Sequence, residues 1–216
     1  MIVYKLTRQD RTTRDGFKYP PKGSRLPELD GKGELCSGHW YHGYAHPLLA
    51  VLNAPVHVDA NYTKMIEIDV PEVYAPSQMK LGFTTGIVGK VVPLPKIALE
   101  QKRRYAIGCA CSVYKDRSFR KWADGWISGK DRSAGAAWEA AWEAAWSPAK
   151  VAARSSTRAV DEVDWSTAKA VMVTVWVAKT AEAAGVAARK DLDLIRIAKW
   201  AMTDEPLSAL LGRSDK

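Results

Sequence analysis

Hydrophobic and polar positions follow two different grammars along this chain, and the change falls near residue 97. Met1 to Leu6 is a short alternating apolar run that predicts an edge strand. Turn signals follow at Asp15-Gly16, Tyr19-Pro20-Pro21, Lys22-Gly23 and Asp30-Gly31-Lys32-Gly33. Pro47 to Asn53 predicts one short buried helix with proline at its first position, where the missing N–H does little harm. Lys64 to Val70 alternates apolar and charged residues with period two, the mark of a half-buried strand. Ile87 to Leu94 predicts another strand, ended by Pro93 and Pro95, which cannot donate to a ladder. Residues 1–97 therefore predict a small α+β domain.

From Ala98 onward glycine and proline become sparse, alanine dominates, and eight of the nine tryptophans appear. Helices are predicted over Leu99–Tyr114 and Ser118–Trp126, separated by the charged corner Lys115-Asp116-Arg117. Ser133–Trp146 sets Trp138, Trp142 and Trp146 four residues apart on one face of an alanine-rich helix. Ser147-Pro148 reads as a cap and first position of another helix reaching about Val160. Asp164-Trp165-Ser166 then caps a helix from about Thr167 to Lys190, in which Val171, Val173, Val175 and Val177 alternate as in a strand while alanine-rich flanks favour helix. Asp191–Met202 and Pro206–Leu211 complete the set. Residues 98–216 predict an all-α, Ala/Trp-rich bundle whose small residues let helices approach closely. The fold class is α+β, with the two parts in series.

Composition narrows the class of protein. Hydrophobic residues make up 47% and charged residues 26% of the 216, ordinary for a globular chain. No apolar run approaches the roughly 20 residues needed to cross a bilayer. Residues 1–8 lack the apolar stretch and cleavage site of a signal peptide, so no membrane partner and a cytoplasmic location are expected. Three cysteines suit a reducing compartment and argue against a disulfide framework. The net charge of +8 is spread over both parts, with 12 Lys/Arg against 9 Asp/Glu before residue 98 and 20 against 15 after it. Such a balance permits contact with nucleic acid or an acidic protein surface.

Three sets of residues are candidates for chemistry. All four histidines, His39, His42, His46 and His57, fall in one short window beside Cys36. Cys and His are the ligands zinc accepts at tetrahedral positions, so this set is a candidate zinc site, with Cys109 as a further donor. Four ligands within Cys36–His46 are hard to wrap around one ion, and the alternative is a turn in which Trp40, Tyr41 and Tyr44 pack beside the imidazoles. Cys36 beside a histidine could also act as a nucleophile if its thiol were acidified. Gly31-Lys32-Gly33 and Gly82-Phe83-Thr84-Thr85-Gly86 lack the strand and helix context of a phosphate loop and read as turns.

The second set is basic: Arg103, Arg104, Lys115, Arg117, Arg120 and Lys121, followed by Trp122 and Trp126. Cations with interleaved aromatics can hold a nucleic-acid backbone, whereas helical spacing of the tryptophans favours a core role. The third is the Trp138, Trp142 and Trp146 stripe, a bundle interior or, if exposed, a protein-recognition face.

The pattern Tyr4-Lys-Leu-Thr, Leu35-Cys36-Ser37-Gly38, His42, Pro47-Leu48-Leu49, Met79-Lys80 and Val91-Val92-Pro93-Leu94-Pro95 resembles a phage and prophage domain of unknown function. The stretches Arg104-Tyr105-Ala106-Ile107 and Phe119 through Ala134, with the alanine-rich helices after them, resemble helical immunity proteins. Both resemblances imply mobile-element biology and microbial conflict, and neither supplies catalytic residues. The resulting expectation is a non-enzymatic phage or prophage accessory protein that binds and inhibits a host protein or protein–nucleic-acid complex, as an anti-CRISPR protein does. The basic set would be the partner-binding surface. A metal- or cysteine-dependent enzyme acting on a nucleotide-type ligand and a toxin-neutralising immunity protein are the alternatives.

Overall fold

The computed structural model describes residues 1–13, 15–35, 37–53, 62–75, 80–113, 115–133 and 193–212. The helices expected over Ala134–Lys190 and their tryptophan stripe lie outside these residues, as do Cys36 and His57. The chain divides into two compact units, Met1–Ile97 and Ala98–Lys216.

The first unit is α+β. Strands β1 (Ile2–Arg8), β3 (Tyr62–Asp69) and β5 (Ile87–Val92) form an antiparallel sheet in the order β1-β3-β5. Period two sets its register: Val3 pairs with Ile68 and Lys5 with Ile66 on one face, while Leu6 pairs with Met65 on the other. Val3, Ile66, Ile68 and Val88 join Tyr19, Leu26, Val70, Tyr41, Leu81 and Phe83 in one buried cluster. Met65 is also fully buried, on the face opposite Ile66. The strand expected at Lys64–Val70 is the central one of the sheet, and its burial alternates from Ile66 to Val70 as the period-two pattern predicts, with Glu67 and Asp69 on the more open face. Helix α1 (Pro47–Leu52) packs against β1 and buries Leu49 and Ala50.

A second antiparallel pair corrects the sequence-based picture. Strand β2 (Tyr41–Gly43) pairs with β4 (Leu81–Phe83), where a turn before a helix and a glycine-rich turn were expected. Their glycines mark close packing rather than chain reversal. A Cβ on Gly43 would stand 2.1 Å from Val3 Cγ1, and one on Gly82 would stand 2.3 Å from Leu35 Cδ1. Strands of three residues are too short to display a period, so only the tertiary contacts reveal them.

The described part of the second unit is helical. Helix α2 (Leu99–Val113) is followed by α3 (Arg117–Ile127), whose cap is Asp116: its Oδ1 accepts from Phe119 N at 2.9 Å and from Ser118 Oγ at 2.5 Å. Helix α4 (Leu194–Ala201) is capped in the same way by Asp193, which accepts from Arg196 N at 2.8 Å. The short α5 (Leu207–Leu211) follows Pro206. Gly108 lets α4 and α5 close onto α2, because a Cβ there would stand 2.9 Å from Ile197, Leu210 and Trp200. No described helix is long and apolar enough to cross a membrane.

Candidate functional site

The three described histidines do three separate jobs. His39 lies in the loop before β2, exposed, with Nδ1 2.6 Å from Asp30 Oδ1. His46 is the N-cap of α1, its Nδ1 accepting from Leu48 N at 3.2 Å, which requires the neutral ring with its proton on Nε2. His42 sits in the middle of β2, partly buried, and its Nε2 donates to the Leu35 carbonyl. Among the described residues no three His, Cys, Asp or Glu side chains come together as a metal site would need. Cys109 is buried in α2, and burial pushes its thiol up to about 12, so it is a protonated packing residue there.

His42 has a perturbed imidazole. Burial lowers it from its ordinary 6.5 to about 4; the cations Lys80 and Lys5 add to the effect and the Leu35 contact opposes it. The ring is therefore neutral at pH 7. Unfolded chains protonate this histidine below about pH 6.5, while the folded protein resists until about pH 4. Its contribution is therefore complete above pH 6.5 and is lost as the pH falls towards 4. Allowing for its partial exposure, wild type should lose about 1–2 kcal/mol more than His42→Gln between pH 7 and 4.5 in urea unfolding. Equal losses would assign the acid sensitivity to other groups.

The basic set divides into inward and outward members. Arg104 is only 5% exposed; its Nη2 donates to the Glu205 carbonyl at 2.5 Å and its guanidinium lies 4.6 Å above the Trp200 ring. It therefore leaves the expected partner-binding surface, because its stem and charge are used to cover a core tryptophan. Arg120 also turns inward, donating from Nη2 to the Cys111 carbonyl at 3.2 Å. That carbonyl belongs to the last turn of α2, whose acceptors have no helical partner. Arg103 is partly buried. Lys115, Arg117 and Lys121 are exposed and enter no ion pair among the described residues. Trp126 is buried with Phe119, Ala123 and Ile127 on the opposite side of α3, in keeping with the core role its spacing favoured.

Sequence reasoning passed over two cations whose charges act on His42, Lys5 and Lys80. One signal was available. Lys5 occupies the inward register of β1 between Val3 and Thr7, both 0% exposed, where an alternating strand calls for an apolar residue.

Comparison with known proteins finds no matching family model, no matching curated protein and no matching solved structure.

Proposed function

We propose that this is a non-enzymatic binding protein whose helix α3 presents a basic face to an anionic region of a host macromolecule. The observation that carries this reading is the two-sidedness of α3. Phe119, Ala123, Trp126 and Ile127 anchor the helix, while Arg117 and Lys121, with Lys115 just ahead of it, face solvent without ion-pair partners among the described residues. The intervening Asp116 caps the helix with its carboxylate, and three cations against this one charge leave the face net positive. Exposed cations fixed on a rigid helix steer association with a complementary surface and set its register. The net charge of +8 favours such a partner.

In its fuller form, residues 98–216 are an all-α bundle that displays this face. The protein is a phage or prophage accessory factor acting in the host cytoplasm. It inhibits a defence complex, of the anti-CRISPR kind, by covering a nucleic-acid path or blocking assembly. The two sequence resemblances support the biological setting, and the α3 surface supports the mode of action.

The test is phage plating on cells with an active RNA-guided defence. Expression of the protein should restore plaques, and the pair Arg117→Glu with Lys121→Glu should abolish that rescue with no change in thermal melting. Both positions are exposed, so charge reversal should alter stability by no more than about 0.5 kcal/mol. No rescue by the wild-type chain would reject the inhibitor reading; undiminished rescue by the double variant would reject this surface.

A further inference from the structure

Within the second unit the positive charge is concentrated in one segment. Residues 98–133 carry nine Lys/Arg against four Asp/Glu, whereas residues 134–216 balance at eleven of each. Part of the excess is used inside the fold. Arg104 covers Trp200, Arg120 donates to the Cys111 carbonyl, and Arg132 pairs with Glu100 at 2.9 Å. Lys115, Arg117 and Lys121 remain in solvent around α3, without an ion pair among the described residues.

Helix stability does not account for these cations. Arg117 is the first residue of α3 and Lys115 precedes its cap, so both stand at the positive end of the helix dipole, where carboxylates are favoured. The first turn holds two arginines and no acidic residue. Arg117 and Lys121, four residues apart, share one stripe of the helix. Two exposed carboxylates lie nearby, the cap Asp116 and, beyond Lys121, Asp124. The net positive charge is therefore greatest towards the N-terminal end. Cations set against their own helix dipole call for an anion from outside.

The kind of anion follows from what accompanies the charge. Protein partners are held by apolar or aromatic anchors at the centre of an interface. The exposed large apolar side chains among the described residues are Met1, Ile2, Tyr74 and Val91, all in the first unit. On α3 the apolar residues turn inward: Phe119, Ala123, Trp126 and Ile127 are buried, and Trp122 is partly buried with its ring 5.3 Å from Phe119. At 4% exposed, Trp126 offers no platform on which an unpaired base could stack. Cations without anchors or open rings match the phosphate backbone of a duplex, whose contacts are charged and polar and carry no sequence information.

We propose that α3 binds the phosphate backbone of duplex nucleic acid through Lys115, Arg117 and Lys121, independently of sequence. This names the partner of the basic face proposed above and rests on that reading. The positive end of the helix adds to the field of the three side chains. Three phosphate contacts give weak binding, about 1–100 μM near physiological salt, with a log–log salt slope of about −2.7 on B-form DNA.

Fluorescence anisotropy of the full chain with two labelled DNA duplexes of unrelated sequence is the test. Both should bind equally and with that slope, and a single strand of the same length should bind no more tightly. Arg117→Glu with Lys121→Glu should weaken binding by about tenfold or more. That variant should melt no lower than wild type, because a carboxylate suits the first turn of a helix. Lys22→Glu with Arg25→Glu makes the same change in net charge at exposed positions of the first unit and should weaken binding far less. Equal losses in the two double variants, a marked preference for one duplex, tighter binding of the single strand, or no duplex binding at low salt would each overturn the proposal. If the duplex is not bound while Arg117→Glu with Lys121→Glu still abolishes plaque rescue, this inference fails and the basic-face reading stands, with an acidic protein surface as the partner. If the duplex binds as described but the wild-type chain gives no rescue, the inhibitor reading fails and the nucleic-acid surface stands.

Discussion

Trp200→Ala is expected to destabilise the second unit by about 3–5 kcal/mol, as removal of a large buried aromatic does. Trp200 is 5% exposed in the last turn of α4, and its Nε1 donates to the Pro206 carbonyl at 3.2 Å, tying α4 to the turn that starts α5. Its ring also lies where any side chain on Gly108 would have to go, 2.9 Å from a Cβ built there, so it fills the space that glycine leaves open. Truncation would empty that space and strip the cover from Arg104, whose guanidinium would stay buried with fewer contacts. An effect of this size is a large fraction of the total stability of a typical domain. Trp200→Phe keeps the ring but not the donor, and should cost about 1–2 kcal/mol. Urea unfolding followed by far-ultraviolet circular dichroism reads both. A loss below about 1 kcal/mol for the alanine variant would mean that Trp200 does not hold α2, α4 and α5 together.

The same tryptophan shows what sequence reasoning could and could not reach. Lys102-Arg103-Arg104 is visibly a basic run, and a basic run at the start of a helix suggests a solvated face. Whether one arginine turns inward depends on what packs beside it, and for Arg104 that is a ring in α4, far along the chain. Arg120 was hidden for a related reason: its acceptor is a main-chain carbonyl of α2, and carbonyls leave no mark in a residue pattern. Strands β1, β3 and β5 and helices α1 to α3 were legible because each is long enough to show a period or is bounded by proline or a cap. Strands β2 and β4 were not, since each has three residues and contains a glycine that normally signals a turn.

The histidine window follows the same division. Its clustering was plain, and clustering invites a metal hypothesis. Each described ring has a local partner of its own: a carboxylate for His39, a helix N-terminus for His46 and a carbonyl for His42. Within the window, His42 becomes a partly buried imidazole that is neutral at pH 7. Lys5 and Lys80, whose charges also lower its pKa, come from outside the window and act on it only once β1, β2 and β4 have met.

That meeting depends on Phe83, and Phe83→Ala should reveal the dependence. Phe83 is 1% exposed and pairs in register with Tyr41, their ring centroids 5.6 Å apart. Tyr41 in turn contacts Phe17 and Tyr19 and donates from its hydroxyl to the Pro27 carbonyl at 3.0 Å. One ring therefore links the β2–β4 pair, the turn bearing Asp15 and the core beneath β1. Removing it should cost about 3–5 kcal/mol, whereas Phe83→Leu, which keeps most of the volume, should cost about 1–1.5 kcal/mol. Because β2 carries His42, whose burial depends on the same packing, the alanine variant should also raise the His42 pKa from about 4 towards its ordinary 6.5, read by NMR titration while most molecules remain folded. The leucine variant should keep it near 4. A destabilised Phe83→Ala protein whose His42 still titrated near 4 would show that the imidazole is buried without help from the Phe83–Tyr41 contact.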